Sequence, residues 1–332
     1  MYNLIHARLS RDLDRFCTGR FLPPLSPLTL CRPAADDHWM LADKSGEIVA
    51  RCSLWWSNTP SLDGRSVGLI GHYAAQDGEA GSILLNLASE ILASQGCALA
   101  VGPMDGNAWQ PYRLVIEPGD EPPFFLEPQN PSDWPGHFIE NGFAILAGYT
   151  SALNPDLAQP DPRLAELEQR AAAQDLSIRP LQAAAFTEEL RRIYAIATAA
   201  FQNNLLYSSI AEADFIAQYE PLQPCIRPEL VLLAEDDGQV VGFIFAIPDL
   251  LQAQRGQAID TIVIKTIAVL PEYSGSGLGS LLAARCQETA GQLGYKRAIH
   301  ALMHESNRSR TISARYAHTI RRYALFAREL LS

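Results

Sequence analysis

The chain has 332 residues, 48% of them hydrophobic and 19% charged, and a net charge of −11. That composition fits two folded domains of ordinary size and excludes an intrinsically disordered chain. Basic residues cluster only in Arg308–Arg322, which argues against a nucleic-acid surface, and no run reaches the 18 apolar residues of a membrane span.

The first sixteen residues, MYNLIHARLSRDLDRF, lack the apolar stretch of a secretory signal. Cysteines stand at 17, 31, 52, 97, 225 and 286, with no CxxC pair. Cys52, Cys97 and Cys286 lie within apolar periodic segments. The expectation is buried, reduced thiols in a cytoplasmic protein, with no metal site and no disulfide framework.

Residues 1–37 read as a helical start followed by a Pro-rich extended wrap, FLPPLSPLTLCRP. His38–Trp55 reads as a hairpin turning at Lys44–Glu47, and Ser66–Tyr73 as a further strand. Ile83, Leu84, Leu87, Ala88, Ile91 and Leu92 form the apolar face of a helix that ends at Gly96. A strand, Cys97–Val101, follows. The order recurs later in the chain. Residues 230–247 read as a hairpin with its turn at Gly238, and Thr261–Leu270 as a β-branched strand. Leu278, Leu281, Leu282, Cys286, Ala290 and Leu293 face one way on a helix ending at Gly294, and Arg297–Met303 is the closing strand. Gly81 to Gly96 and Gly279 to Gly294 both span 15 residues. WMLADKSGEIVA and VLLAEDDGQVVG also align. The sequence therefore predicts a duplication, with Asn154–Asp175 as a connector rich in proline (Pro155, Pro160, Pro162).

Between the second-half strand and its helix lies Ser274-Gly275-Ser276-Gly277-Leu278-Gly279. Such a loop lets backbone approach a ligand, and the helix start beyond it offers N–H groups to an anion. It is not a P-loop, since no Gly-Lys-Ser/Thr follows, and Ser280 breaks a dinucleotide fingerprint. Val269-Leu270-Pro271-Glu272-Tyr273 followed by this glycine pattern resembles motif A of the GNAT superfamily of acyl-CoA-dependent acyltransferases. Ser274 departs from the long polar residue that opens the family's loop, while Gly277 and Gly279 match.

That resemblance implies an α/β fold of two tandem GNAT-like units, each a mixed, mostly antiparallel sheet flanked by helices. Residues 1–153 would be a degenerate unit, 154–175 the connector and 176–332 the acyl-CoA-binding unit. It implies that amides of Ser274, Gly275, Ser276, Gly277, Leu278, Gly279 and Ser280 hold the CoA pyrophosphate. Ile267, Ala268 and Val269 would pair with pantetheine, and Asn307 would lie near it. Tyr316, expected on a helix after Asn307, would protonate the leaving thiolate, with Tyr323 as the fallback. The family's usual glutamate base has no counterpart, since the available strand positions hold Lys265 and Thr266, which are not expected to serve as a base. His304 is the candidate base by its intrinsic pKa, with His300 and Glu305 beside it. Arg308, Arg310, Arg315, Arg321 and Arg322 either serve CoA phosphates or form a solvated helix face.

The first-half counterpart of the loop is Gln76-Asp77-Gly78-Glu79-Ala80-Gly81. Its two carboxylates would repel a pyrophosphate, so this half is expected not to bind CoA. Trp109, Tyr112, Arg113, Phe124 and Phe125 either line a substrate cleft or pack the seam between halves, and the seam is the preferred reading. The expected activity is transfer of an acetyl or other acyl group from acyl-CoA to a small-molecule or peptide amine. The alternative is a non-catalytic CoA-binding or scaffold protein. Neither nucleic acid nor membrane is an expected partner, and the expected state is a monomer with pseudo-dimeric halves or a weak homodimer.

Overall fold

In the computed structural model, residues 2–30, 33–159 and 161–330 are described. Cys31, Pro160 and the side chain of Arg308 lie outside that description. Among the described residues, thirteen strands join in one mixed sheet. In chain order the first half supplies β1 (Asn3–His6), α1 (Ser10–Thr18), β2 (Asp37–Ala42), β3 (Ile48–Trp55), β4 (Val67–Ala75), α2 (Gly78–Ser94), β5 (Leu99–Gly102), β6 (Leu114–Glu117), α3 (Trp134–Glu140) and β7 (Ala144–Asn154). After α4 (Leu164–Ala172), the second half supplies β8 (Ser177–Pro180), α5 (Phe186–Phe201), α6 (Glu212–Tyr219), β9 (Val231–Asp236), β10 (Gln239–Pro248), α7 (Leu250–Gln254), β11 (Thr261–Val269), α8 (Leu278–Gln292), β12 (Arg297–His304), α9 (Arg308–Ser313) and β13 (His318–Glu329).

The repeat is visible element by element, with hairpin, strand, helix and strand as β2-β3-β4-α2-β5 and again as β9-β10-β11-α8-β12. The punctuating glycines match too. Gly46 and Gly238 turn the hairpins at φ 89° and 74°, a left-handed backbone that costs glycine little. In both halves the third strand of the motif pairs parallel with the strand after the helix, β4 with β5 and β11 with β12.

The halves are joined by an exchange. The sheet runs β1-β2-β3-β4-β5-β13-β7-β12-β11-β10-β9-β8, with β6 on β13. Each half's last long strand thus lies beside the other half's parallel pair, β13 against β5 and β7 against β12. Ala324 and Phe326 of β13 are buried in the first-half core, and Leu153 of β7 in the second-half core. α8 covers one face of β10–β12, and α5 with α6 packs on the other.

Two expectations change. The segment after Asn307 is not one long helix: α9 ends at Ser313, Tyr316 lies in the turn beyond it, and Tyr323 is on β13. Residues 318–329 bury both faces, so they show no clean period of two. The first 37 residues include a strand, β1, before their helix, and the Pro-rich piece carries a 3-10 turn, Pro27–Leu30. Buried Arg51 of β3 ties this wrap down, donating to the carbonyls of Phe16 (3.0 Å) and Pro23 (2.5 Å). The five described cysteines are free, and all but Cys225 are buried.

Candidate active site

Parallel pairing between β11 and β12 runs from Thr261↔Arg297 only to Ile264↔His300. β11 then continues to Val269 against β10 alone, and β12 continues to His304 against β7. The two strands part in a fork. In a strand, alternate residues turn their N–H and C=O to opposite sides, so part of the 265–269 backbone faces the gap. Ile267, Ala268 and Val269 all lie on this open stretch. On the other arm Leu302 sits at φ 58°, a bulge that breaks the β12 register. Its N–H donates to Ser151 Oγ (3.0 Å), and its carbonyl accepts from Arg113 Nη1 (3.1 Å).

β11 leads through Pro271–Tyr273 into the glycine loop. Gly277 is the N-cap of α8 at φ 95° and contributes no side-chain cap. The Leu278 amide meets only a neutral partner, Ser276 Oγ at 3.2 Å. A Cβ on Gly279 would lie 3.7 Å from Ile312 of α9 and 3.8 Å from Ile267. The loop, α9 and the open edge of β11 therefore converge. Arg315 reaches the same place, its Nη1 3.4 Å from Ser280 Oγ. First-turn amides, the positive end of the helix and one guanidinium make a cradle that fits a pyrophosphate.

The first half departs from this at both points. Asp77 caps α2, its Oδ1 accepting the Ala80 N–H at 2.9 Å, so a carboxylate of the chain itself holds the helix start. The fork is also closed. Beyond β5, the Met104 N–H bonds the Ile70 carbonyl (2.9 Å) and Asp105 Oδ1 accepts the His72 N–H (2.6 Å). Gly71 lies so close beneath that a Cβ there would come within 2.3 Å of the Met104 carbonyl oxygen.

The remaining expected residues fall on two faces of the sheet. On the α8 face, Tyr316 donates to Asp161 of the connector (2.5 Å), and burial raises its pKa. Its ring lies 6.0 Å from that of buried His300, which contacts Gln287 of α8 at 3.2 Å. Asn307 caps α9 through the Ser309 N–H (3.2 Å). On the other face, His304 packs edge-on against Tyr149, and burial lowers its pKa. Its Nδ1 accepts the Ser306 N–H (3.1 Å), so the neutral ring carries its proton on Nε2. Tyr316 and His304 are not brought into mutual contact. Arg321 is neither a CoA ligand nor solvated. It is buried and bound to Glu127 (2.7 Å) and to the carbonyls of Pro118 and Glu121. Arg322 pairs with Glu117 at the surface.

That second face is roofed by the first half. Glu127 accepts from Tyr323, whose hydroxyl also meets Ser151 at 2.9 Å. Arg113 is stacked between Tyr112 and Tyr149, at 3.8 and 4.0 Å from their ring centres. Trp109 packs on Phe201, Tyr207 and Phe215 and donates to the Ser208 carbonyl (2.9 Å), while Phe124 is fully buried. These aromatics pack the seam, as the composition of such seams favours.

Burial pushes His300 down to about 4 and His72 to about 3, while Asp105 is pushed up to about 7. Unfolding between pH 6.5 and 4 lets both histidines take up a proton and Asp105 release one. These three groups give a net uptake of about one proton, and His38 and His304, also lowered by burial, add to it, so stability should fall by at least about 1.4 kcal/mol per pH unit as pH drops through this window. Urea titrations at pH 6.5, 5.5 and 4.5 should show that slope, and His300→Gln should flatten it. A wild-type stability independent of pH over this range would refute the assignment.

Parallel strands that part beside a glycine-led helix start are the arrangement that the resemblance to acyl-CoA-dependent acyltransferases implies. The comparisons agree. Residues 183–312 match the model of the acetyltransferase (GNAT) family, so the second half carries a GNAT domain, and the whole chain has the tandem GNAT fold. A tandem GNAT protein from the clavulanic acid biosynthesis pathway superposes with a TM-score of 0.53 at 13% identity, covering 100% of this chain and 99% of that one. In sequence the chain is 26% identical over 255 residues to the bacterial ceramide synthase of Caulobacter vibrioides, covering 74% of this chain and 66% of the relative. It is 23% identical over 322 residues to protein YghO of Escherichia coli, covering 85% of this chain and 80% of that protein. Among the described residues, no helix is long and apolar enough to cross a membrane.

Proposed function

We propose that this protein transfers an acyl group from acyl-CoA, with acetyl-CoA the first to test, to an amine in the cytoplasm. The observation that carries the reading is the β11–β12 fork opening beside the Gly277–Gly279 helix start, present in the second half and closed in the first. CoA supplies the activated thioester. The chain's own part is to hold the phosphates at the α8 start, orient pantetheine along 267–269 and polarise the carbonyl with strand amides. The kinship to a protein named bacterial ceramide synthase supports an acceptor amine on a long-chain molecule. Thiol release from acetyl-CoA and palmitoyl-CoA, measured with dodecylamine, spermidine and a free peptide N-terminus, tests the reading. Binding of CoA with no amine-dependent thiol release would favour the second reading, a non-catalytic CoA-binding protein. That alternative has two features behind it, Ser274 in place of the long polar residue that opens the family's loop and the absence of a carboxylate at Lys265–Thr266.

Tyr316 is the proposed proton donor to the thiolate; His304, the base candidate offered by the sequence, lies on the opposite face of the sheet, beside Tyr149, and is the acceptor only if the amine is not deprotonated elsewhere in the fork. A thiol is already a fair leaving group, so Tyr316→Phe should lower turnover by no more than about 10²-fold, the lower end for general acid catalysis. Acetyl-CoA affinity should hardly change. Full turnover in Tyr316→Phe with loss in Tyr323→Phe would move the role to Tyr323, and full turnover in both would leave protonation to solvent.

A further inference from the structure

Lysine occurs three times in this chain, as Lys44, Lys265 and Lys296, against 23 arginines. Lys265 is the first β11 residue beyond Ile264↔His300, the last pair before the strands part. It therefore stands at the crotch of the fork. Its Nζ leans away from α8 and donates to the Leu126 carbonyl at 3.0 Å, on the face roofed by the first half. Among the described residues it forms no ion pair. The charges that act on it are Arg113 and Glu127, and the Glu127 carboxylate already accepts from Arg321, Tyr323 and the Phe124 N–H. Arginine cannot give up its proton under working conditions, whereas a desolvated lysine can.

We propose that Lys265 is the catalytic base, taking the proton from the ammonium form of the acceptor amine on the face of the fork opposite α8. The proposal rests on the acyl-CoA reading above and goes beyond it by placing the amine. The neutral ε-amine accepts one proton from R–NH3+. The freed amine then attacks the thioester carbonyl carbon, a C–N bond forms and the C–S bond breaks. The second amine proton leaves with the CoA thiolate, and Lys265 returns its own proton to water. Burial supports the assignment, pushing Lys265 down to about 7, with Arg113 adding to the shift and Glu127 opposing it. A base of that strength is matched to neutral pH, where both its forms are populated. The site would take a primary amine whose remaining structure reaches out between the two halves.

The chain's few lysines make the test clean. Pulse labelling with deuterated acetic anhydride at pH 6–10, read by peptide mass spectrometry, should give Lys265 a half-maximal rate near pH 7. Exposed Lys44 serves as the internal reference, and saturating acetyl-CoA should slow labelling of Lys265 alone by at least about fivefold. With dodecylamine as acceptor, Lys265→Met and Lys265→Arg should both lose the limb of the kcat/KM profile near pH 7 while keeping acetyl-CoA affinity. Loss in Lys265→Met but not in Lys265→Arg would mean that Lys265 acts through its positive charge and not as a base, and would overturn the proposal. So would a labelling midpoint near 10, or labelling indifferent to acetyl-CoA. Failure of acetyl-CoA to bind at all, read by calorimetry, would instead overturn the acyl-CoA reading beneath it.

Discussion

Calorimetric titration with acetyl-CoA should give one equivalent per chain, and a carboxylate placed in the glycine loop should weaken binding at least tenfold. Two variants are needed because the two glycines differ. Gly277 sits at φ 95°, so Gly277→Glu combines charge with a strained backbone. Gly279 has ordinary backbone, and a Cβ there meets its neighbours at 3.7 Å or more. Gly279→Asp therefore adds charge with little strain, and Gly279→Ala is its control. An anion inside the phosphate cradle faces at least two phosphate charges. At about 1 kcal/mol per pair in water, and more where water is excluded, affinity should fall at least tenfold to a hundredfold. Gly279→Ala should bind nearly as wild type. In the first half, Asp77→Ala should cost about 1 kcal/mol of stability through the lost cap, and it should create no second site, since the fork there is closed by Met104 and Asp105. A stoichiometry of two, or tight binding by Gly279→Asp, would overturn the placement.

What could be read from sequence was the part governed by local rules. The hairpins at Gly46 and Gly238, the strands at 67–75 and 261–269 and the helices that follow them carry their period and punctuation within a few residues. The same locality exposed the duplication and the acidic substitution at 77 and 79. What depended on distant partners stayed hidden. Nothing in 318–329 says that β13 inserts between β5 and β7, because a strand buried on both faces loses its alternation. Arg321 looks like surface charge until Glu127, 194 positions away, is seen beside it. Lys265 looks ordinarily protonated until the first-half segment that half-buries it, with the Leu126 carbonyl on its Nζ, is seen beside it. Tyr316 has the right order after the strand, yet the connector carboxylate that holds its hydroxyl, Asp161, comes from the far side of the repeat.

The exchange of last strands makes a further strong prediction, at Arg321. Its side chain is 4% exposed and that of Glu127 is 1% exposed, with 2.7 Å between them. Arg321 comes from β13 of the second half, and Glu127 from the first-half segment that roofs the fork. Arg321→Met removes the cation and leaves a buried carboxylate with only Tyr323 and the Phe124 N–H for company. Breaking one side of a buried pair costs about 3–5 kcal/mol, far more than any exposed pair here should. Replacing both, as Arg321→Met with Glu127→Leu, should recover most of that loss, because two apolar groups need no compensation. The surface pair Arg322–Glu117 gives the internal contrast, with Arg322→Met costing at most about 1 kcal/mol. Since β13 pairs with β5 and β7 together, the loss should appear as one cooperative transition shifted as a whole, not as early melting of one half. Two separated transitions, with only one moved by Arg321→Met, would show that the halves fold independently despite the exchange. A double variant no more stable than the single would place the cost in lost hydrogen bonds to the Pro118 and Glu121 carbonyls rather than in the stranded charge.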